Sequence, residues 1–143
     1  EFLGEISRER ERSLAALCVI GGIFTEGIDL TNDRLIGALI VGTGLPQVNV
    51  EQEILKQYFE EGDENGFDYA YRYPGMNKVL QAAGRVIRTM DDRGIIALLD
   101  ERFLEKDYQE LFPREWDEYF IVNRRNVRQA VEAFWRRQEE EAP

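Results

Sequence analysis

The 143-residue sequence predicts an α/β fold in which a mainly parallel sheet is flanked by helices. Three observations carry that expectation. Leu14–Ile20, Ile36–Val41 and Gly94–Asp100 are short, near-continuous apolar runs of the kind found in strands covered on both faces. Two stretches of helical periodicity separate the second run from the third, which is what a parallel crossover requires. The composition, 43% hydrophobic and 32% charged, is that of a globular chain and not of a disordered one.

The elements follow in order. Phe2 to Arg12 reads as the end of a helix with a solvated charged face, Arg8-Glu9-Arg10-Glu11-Arg12. Leu14–Ile20 is expected as the first strand, with Cys18 buried and inert inside it. A glycine-rich loop, Gly21 to Leu30, leaves that strand. Ile36–Val41 is the second strand, and Val50–Glu61 is a helix with Ile54, Leu55, Tyr58 and Phe59 as its apolar stripe. Gly62 to Tyr73 is rich in Gly, Asp and Asn and is expected as a loop, its aromatics (Phe67, Tyr69, Tyr71, Tyr73) packing at the edge of the fold. Met76 to Thr89 is the next helix and Gly94–Asp100 the third strand. The tail, Ile121 to Glu140, reads as a helix with Val122, Val127, Ala130, Val131 and Phe134 inward. Residues 1–143 are expected as a single domain in which 121–143 forms the carboxyl-terminal helix.

Composition removes several chemistries. One cysteine and no histidine exclude a structural zinc site or an iron–sulfur cluster built from this chain alone, and they exclude Ser-His and Cys-His nucleophilic arrangements. No apolar run approaches the ~20 residues that span a bilayer, and with no secretory n-region and h-region at its start the chain is not expected to carry a leader. A cytoplasmic location is expected. The formal charge is −10, from 28 acidic and 18 basic residues. Free-standing nucleic-acid binders carry the opposite balance, so any contact with DNA is expected over a small local surface.

The most informative segment is Gln81-Ala82-Ala83-Gly84-Arg85-Val86-Ile87-Arg88. On a helix, at roughly 100° per residue, Gln81, Arg85 and Arg88 fall within about 60° of one another. Val79, Ala83, Val86, Ile87 and Met90 take the opposite side. Gly84 removes a side chain beside the polar stripe, at a cost of about 0.5–1 kcal/mol in a helix interior. Two guanidiniums and an amide on one face form a donor array suited to a phosphate group. A second segment, Gly21-Gly22-Ile23-Phe24-Thr25-Glu26-Gly27-Ile28-Asp29-Leu30, stands where a strand would end, the place at which parallel α/β sheets gather ligands.

Together the two segments resemble one family. Glu26-Gly27-Ile28-Asp29-Leu30 looks like motif V, and Gln81 to Arg88 like motif VI, of the second motor domain of superfamily 2 helicases of the DinG and XPD type. Leu45-Pro46, Asp92-x-Gly94, Leu99-Asp100-x-Arg102, Tyr108, Pro113 and Trp116 follow the same pattern, so the resemblance covers about Leu14 to Trp116. It implies a partial RecA-like fold of the P-loop NTPase helicases. It also implies that Arg85 and Arg88 are arginine fingers reaching the γ-phosphate of ATP, with Gln81 positioning that phosphate or the attacking water. Glu26, Gly27, Asp29 and Gly84 would couple nucleotide state to the nucleic-acid groove. Gly22 and Thr25 would lie near the phosphates of single-stranded DNA.

The family keeps its phosphate loop and its acidic magnesium motif in the first motor domain, and neither motif occurs in this sequence. The expectation is therefore the distal two-thirds of one motor domain, using ATP and Mg held mainly by the first, and inactive alone. Its expected partners are single-stranded DNA and that first motor domain, with self-association through an unpaired sheet edge. DNA, 5′-to-3′ movement and a setting in repair are what the resemblance implies. The alternative reading is a helicase-shaped adaptor without catalysis, for which the acidic charge speaks.

Overall fold

The computed structural model describes residues 13–22, 35–87 and 92–140. These divide into two compact units, one running up to Gln109 and the other from Glu110 onward.

In the first unit two strands, β1 (Gly37–Val41) and β2 (Ile95–Leu99), pair in parallel with Gly37 opposite Ile95 and Val41 opposite Leu99. Both sit where the sequence places apolar runs. The crossover between them holds α1 (Val50–Glu61), a π-helical turn (Asp68–Arg72) and α2 (Tyr73–Ala83). Helix α1 starts at Asn49, whose side chain accepts from the Gln52 N–H at 2.9 Å, and Glu51 and Glu53 in its first turn complement the helix dipole. After β2 come a 3₁₀ turn (Glu101–Leu104) and the short helix α3 (Lys106–Gln109).

The core lies between α2 and the sheet. Met76, Val79 and Ala83 of α2 are buried with Ile40 of β1 and with Val86. Leu39 and Val41 point the other way and remain three-quarters exposed, as pleated alternation requires. Arg72 ties the start of α2 to α3. Its guanidinium lies 2.6 Å from Asp68 and 3.1 Å from Asp107, between the rings of Phe67 (5.7 Å) and Tyr108 (5.3 Å).

Four expectations need correction. Residues 13–19 form no strand and are exposed, Cys18 included. An apolar run supplies a motive for burial but not the row of backbone partners that makes a strand, and among the described residues β1 and β2 pair only with each other. The expected loop before Tyr73 contains the π-helical turn, because its aromatics stack into a ladder: Phe59 on Tyr69 at 4.0 Å, and Tyr69 edge-on to Tyr73 at 5.2 Å. The helix expected over Met76–Thr89 begins earlier, at Tyr73, and ends at Ala83. The tail helix is shorter as well. Within the second unit α4 spans Val127–Glu140, and Asn123 with Asn126 caps it reciprocally: the Asn123 side chain accepts from the Arg125 N–H and the Asn126 side chain from the Asn123 N–H. Val122 and Val127 of its expected inward stripe are about 40% exposed. Phe112 packs edge-on against Trp116 and Tyr119 in the same unit, and Phe134 against Trp135. The helix expected over Phe2 to Arg12 lies outside the described residues.

Candidate phosphate and nucleic-acid site

The candidate site is built on the carboxyl-terminal end of α2 and the turn that follows. Gln81 is exposed in the last helical turn. Gly84 caps the helix in right-handed geometry (φ −63°, ψ −3°), its N–H donating to the Leu80 carbonyl at 2.8 Å. The chain then tightens. The Arg85 N–H reaches the Ala82 carbonyl at 3.3 Å and the Val86 N–H reaches that of Ala83 at 3.0 Å, both i to i−3 bonds of 3₁₀ type. Arg85, half-buried, thus stands in a tight turn rather than on the helix face that simple periodicity assigns to it. Glycine's low helix propensity and the burial of Val86 give the reason: the chain bends to bring Val86 under the sheet.

That bend is pinned from below. A side chain at Gly94 would run into Val86 Cγ1 and lie 3.0 Å from the Ile36 carbonyl oxygen, so turn and strand start meet with no room between them. The Arg85 turn is therefore rooted in the sheet, the kind of support a positioned cation needs. Gly22, half-buried, follows Gly21 in a turn closed by the Gly22 N–H to Val19 carbonyl bond at 3.0 Å. That turn lies beside α2, since a Cβ on Gly21 would come within 3.7 Å of Lys78 Cδ. The structure thus brings the start of the glycine-rich loop next to the helix that carries Gln81. Arg88, Thr25, Glu26, Gly27 and Asp29 lie outside the described residues.

At the end of β2, Asp100 receives two hydrogen bonds from the Arg102 guanidinium, at 2.8 and 2.7 Å, and a third from the Arg102 N–H at 3.0 Å. The guanidinium bonds, foremost, hold the Asp100 carboxyl down at about 2. The Leu99-Asp100-x-Arg102 pattern is thereby a cap and ion pair that fixes the strand's exit. Tyr71, buried at the π turn, donates from its hydroxyl to Glu53 Oε1 at 2.5 Å, and that bond pushes its pKa up to about 12. Among the described residues no three His, Cys, Asp or Glu side chains gather to hold a metal, and no helix is long and apolar enough to cross a membrane.

The description of the helicase C-terminal domain matches residues 1–119. The chain belongs to the helicase C-terminal domain family. Within it the chain is of the DinG and XPD type. It is 36% identical over 89 residues to the ATP-dependent DNA helicase DinG of Photobacterium profundum, a match covering 61% of this chain and 13% of that protein. Over 120 residues it is 30% identical to the general transcription and DNA repair factor IIH helicase subunit XPD of Schizosaccharomyces pombe, covering 78% of this chain and 14% of that one. Over 100 residues it is 31% identical to the ATP-dependent DNA helicase YoaA of Escherichia coli, covering 68% and 15% respectively. The chain thus spans 13% to 15% of the length of these relatives. The two-stranded parallel sheet with its helices agrees with a partial RecA-like domain.

Lys78 was not singled out by sequence reasoning. Its signal is tertiary, arising only when two glycine turns distant in sequence meet on one helix.

Proposed function

We propose that this chain is the distal part of the second motor domain of an ATP-dependent DNA helicase, and that it completes a nucleotide pocket whose other wall belongs to the first motor domain. The observation that carries this reading is the pinned turn after α2. It anchors Arg85 on buried Val86 and leaves the exposed backbone of Gly84 and the side chain of Gln81 beside it. The relatives named as ATP-dependent DNA helicases support it. In this reading Arg85 and Arg88 neutralise charge spreading over the transferring phosphoryl group, and Gln81 orients that phosphate or the attacking water. Magnesium, held by the first motor domain, would screen the same phosphates. Glu26, Gly27, Asp29 and Gly84 couple the pocket to the groove, and Gly22 and Thr25 approach the single strand. The chain by itself does not turn over ATP and works in the cytoplasm. The bare side of the sheet, Leu39 and Val41, supports self-association of the isolated chain; a clean monomer in sedimentation at high concentration removes that part.

The test is ATP turnover by the full-length protein. Arg85→Ala or Arg88→Ala is expected to lower turnover by about 10³ or more while KM for ATP moves far less. Turnover within about twofold of the parent would return both arginines to a structural role.

A further inference from the structure

Lys78 stands three residues before Gln81 on α2, half-buried. Its stem fills the space between two glycine turns that the sequence separates by about twenty residues. A Cβ on Gly44 would lie 3.6 Å from Lys78 Cβ, and one on Gly21 would lie 3.7 Å from Cδ and 3.8 Å from Cε. Gly21, Gly42 and Gly44 all have positive φ (76°, 83° and 66°), a conformation that glycine adopts without strain. The Gly42–Gly44 turn caps the carboxyl end of β1, the edge at which parallel α/β sheets bind ligands. Among the described residues the Lys78 ammonium makes no hydrogen bond and no ion pair, and the acid that ends β2, Asp100, is committed to Arg102.

An uncompensated cation, set between two glycine turns at a ligand-binding edge, suits an anion that arrives with its own chain and needs close approach. We infer that Lys78 holds a phosphodiester of single-stranded DNA, which passes over the Gly21–Gly22 and Gly42–Gly44 turns. This rests on the helicase reading above and adds to it a phosphate contact on α2 itself, three residues before Gln81. The stem packs on the glycines and the ammonium contributes one neutralised phosphate.

The test uses the full-length protein, fluorescein-labelled oligothymidine and fluorescence anisotropy over a salt series. Lys78→Met keeps the stem and removes the charge. It should weaken binding about three- to tenfold near 0.1 M salt and reduce the slope of log K against log salt by about 0.7, as expected for one lost phosphate on a single strand. Lys78→Arg should restore most of the affinity. Unchanged affinity and slope in Lys78→Met, with circular dichroism like the parent's, would leave the lysine a packing residue and overturn the inference. A raised KM for ATP with unchanged oligothymidine binding would assign it to the nucleotide and overturn it equally. A parent protein that does not bind oligothymidine overturns the inference together with the helicase reading. A parent that binds, with only Lys78→Met unaffected, removes the inference alone.

Discussion

Replacing Gly94 with alanine tests whether the Arg85 turn is held by the sheet. The new methyl meets two walls: Val86 Cγ1, with which it overlaps, and the Ile36 carbonyl, 3.0 Å from its oxygen and 3.3 Å from its carbon. The second wall is backbone, and Ile36 accepts the Ile95 N–H at 3.0 Å on the first rung of the β1–β2 ladder, so it yields only by opening that rung. Val86 is β-branched and 4% exposed, so its side chain has little freedom to turn away. Overpacking of this kind costs about 1–3 kcal/mol, and two walls place Gly94→Ala in the upper half of that range. Val86→Ala alone removes two buried methyls, about 1.5–3 kcal/mol. In the double variant the methyl at 94 occupies part of the vacated space, leaving only the strain against Ile36. The pair is therefore expected to be less destabilised than the sum of the singles by at least about 1 kcal/mol. Urea unfolding followed by far-ultraviolet circular dichroism measures all four corners of the cycle. Additivity within about 0.5 kcal/mol, or a Gly94→Ala variant as stable as the parent, would show that the turn is not braced in this way.

Two further outcomes follow from single groups. The Asp100 carboxyl is held at about 2, against an ordinary value of 3.8, by the Arg102 guanidinium, so its folded-state value is depressed. The stability it contributes is full above about pH 4 and is lost as pH falls through about 2. Partial exposure of Arg102 discounts it to about 1–2 kcal/mol, and Asp100→Asn should flatten the acid limb of an unfolding profile by that amount. Thr43, 1% exposed, carries a buried hydroxyl with no hydrogen-bond partner among the described residues. Thr43→Val should leave stability unchanged or raise it by about 1 kcal/mol in thermal unfolding, and a loss above 1 kcal/mol would mean the hydroxyl is satisfied after all.

Much of the first unit was legible in sequence, for identifiable reasons. Helix α1 occupies the predicted Val50–Glu61 because Asn49 caps it and Gly62 stops it, both local signals. Strands β1 and β2 fall on uninterrupted apolar runs, and the family pattern at Gln81 to Arg85 and Asp100 to Arg102 survives without tertiary information. What failed depended on distant contacts. Periodicity continues past Gly84 in Val86 and Ile87, so it cannot show that the chain turns there to pass beneath the sheet. The Gly, Asp and Asn content before Tyr73 reads as loop because composition does not register ring stacking on Phe59. Leu14–Ile20 has strand composition, but pairing is decided by neighbours, not by the run itself. Lys78 escaped notice because a lysine in an amphipathic helix looks like solvated surface until Gly21 and Gly44 are found against its stem.

Both tryptophans, Trp116 and Trp135, belong to the second unit, one edge-on to Phe112 and the other against Phe134 in α4, whereas the motif-bearing unit holds only tyrosine and phenylalanine rings. Emission excited at 295 nm consequently originates in the second unit and not in the unit that carries Gln81 and Arg85. A melt recorded that way follows the tryptophans of the second unit. Comparing it with a tyrosine or backbone signal separates the two units optically, without a label, and coincident or split midpoints would reveal whether they unfold as one cooperative body.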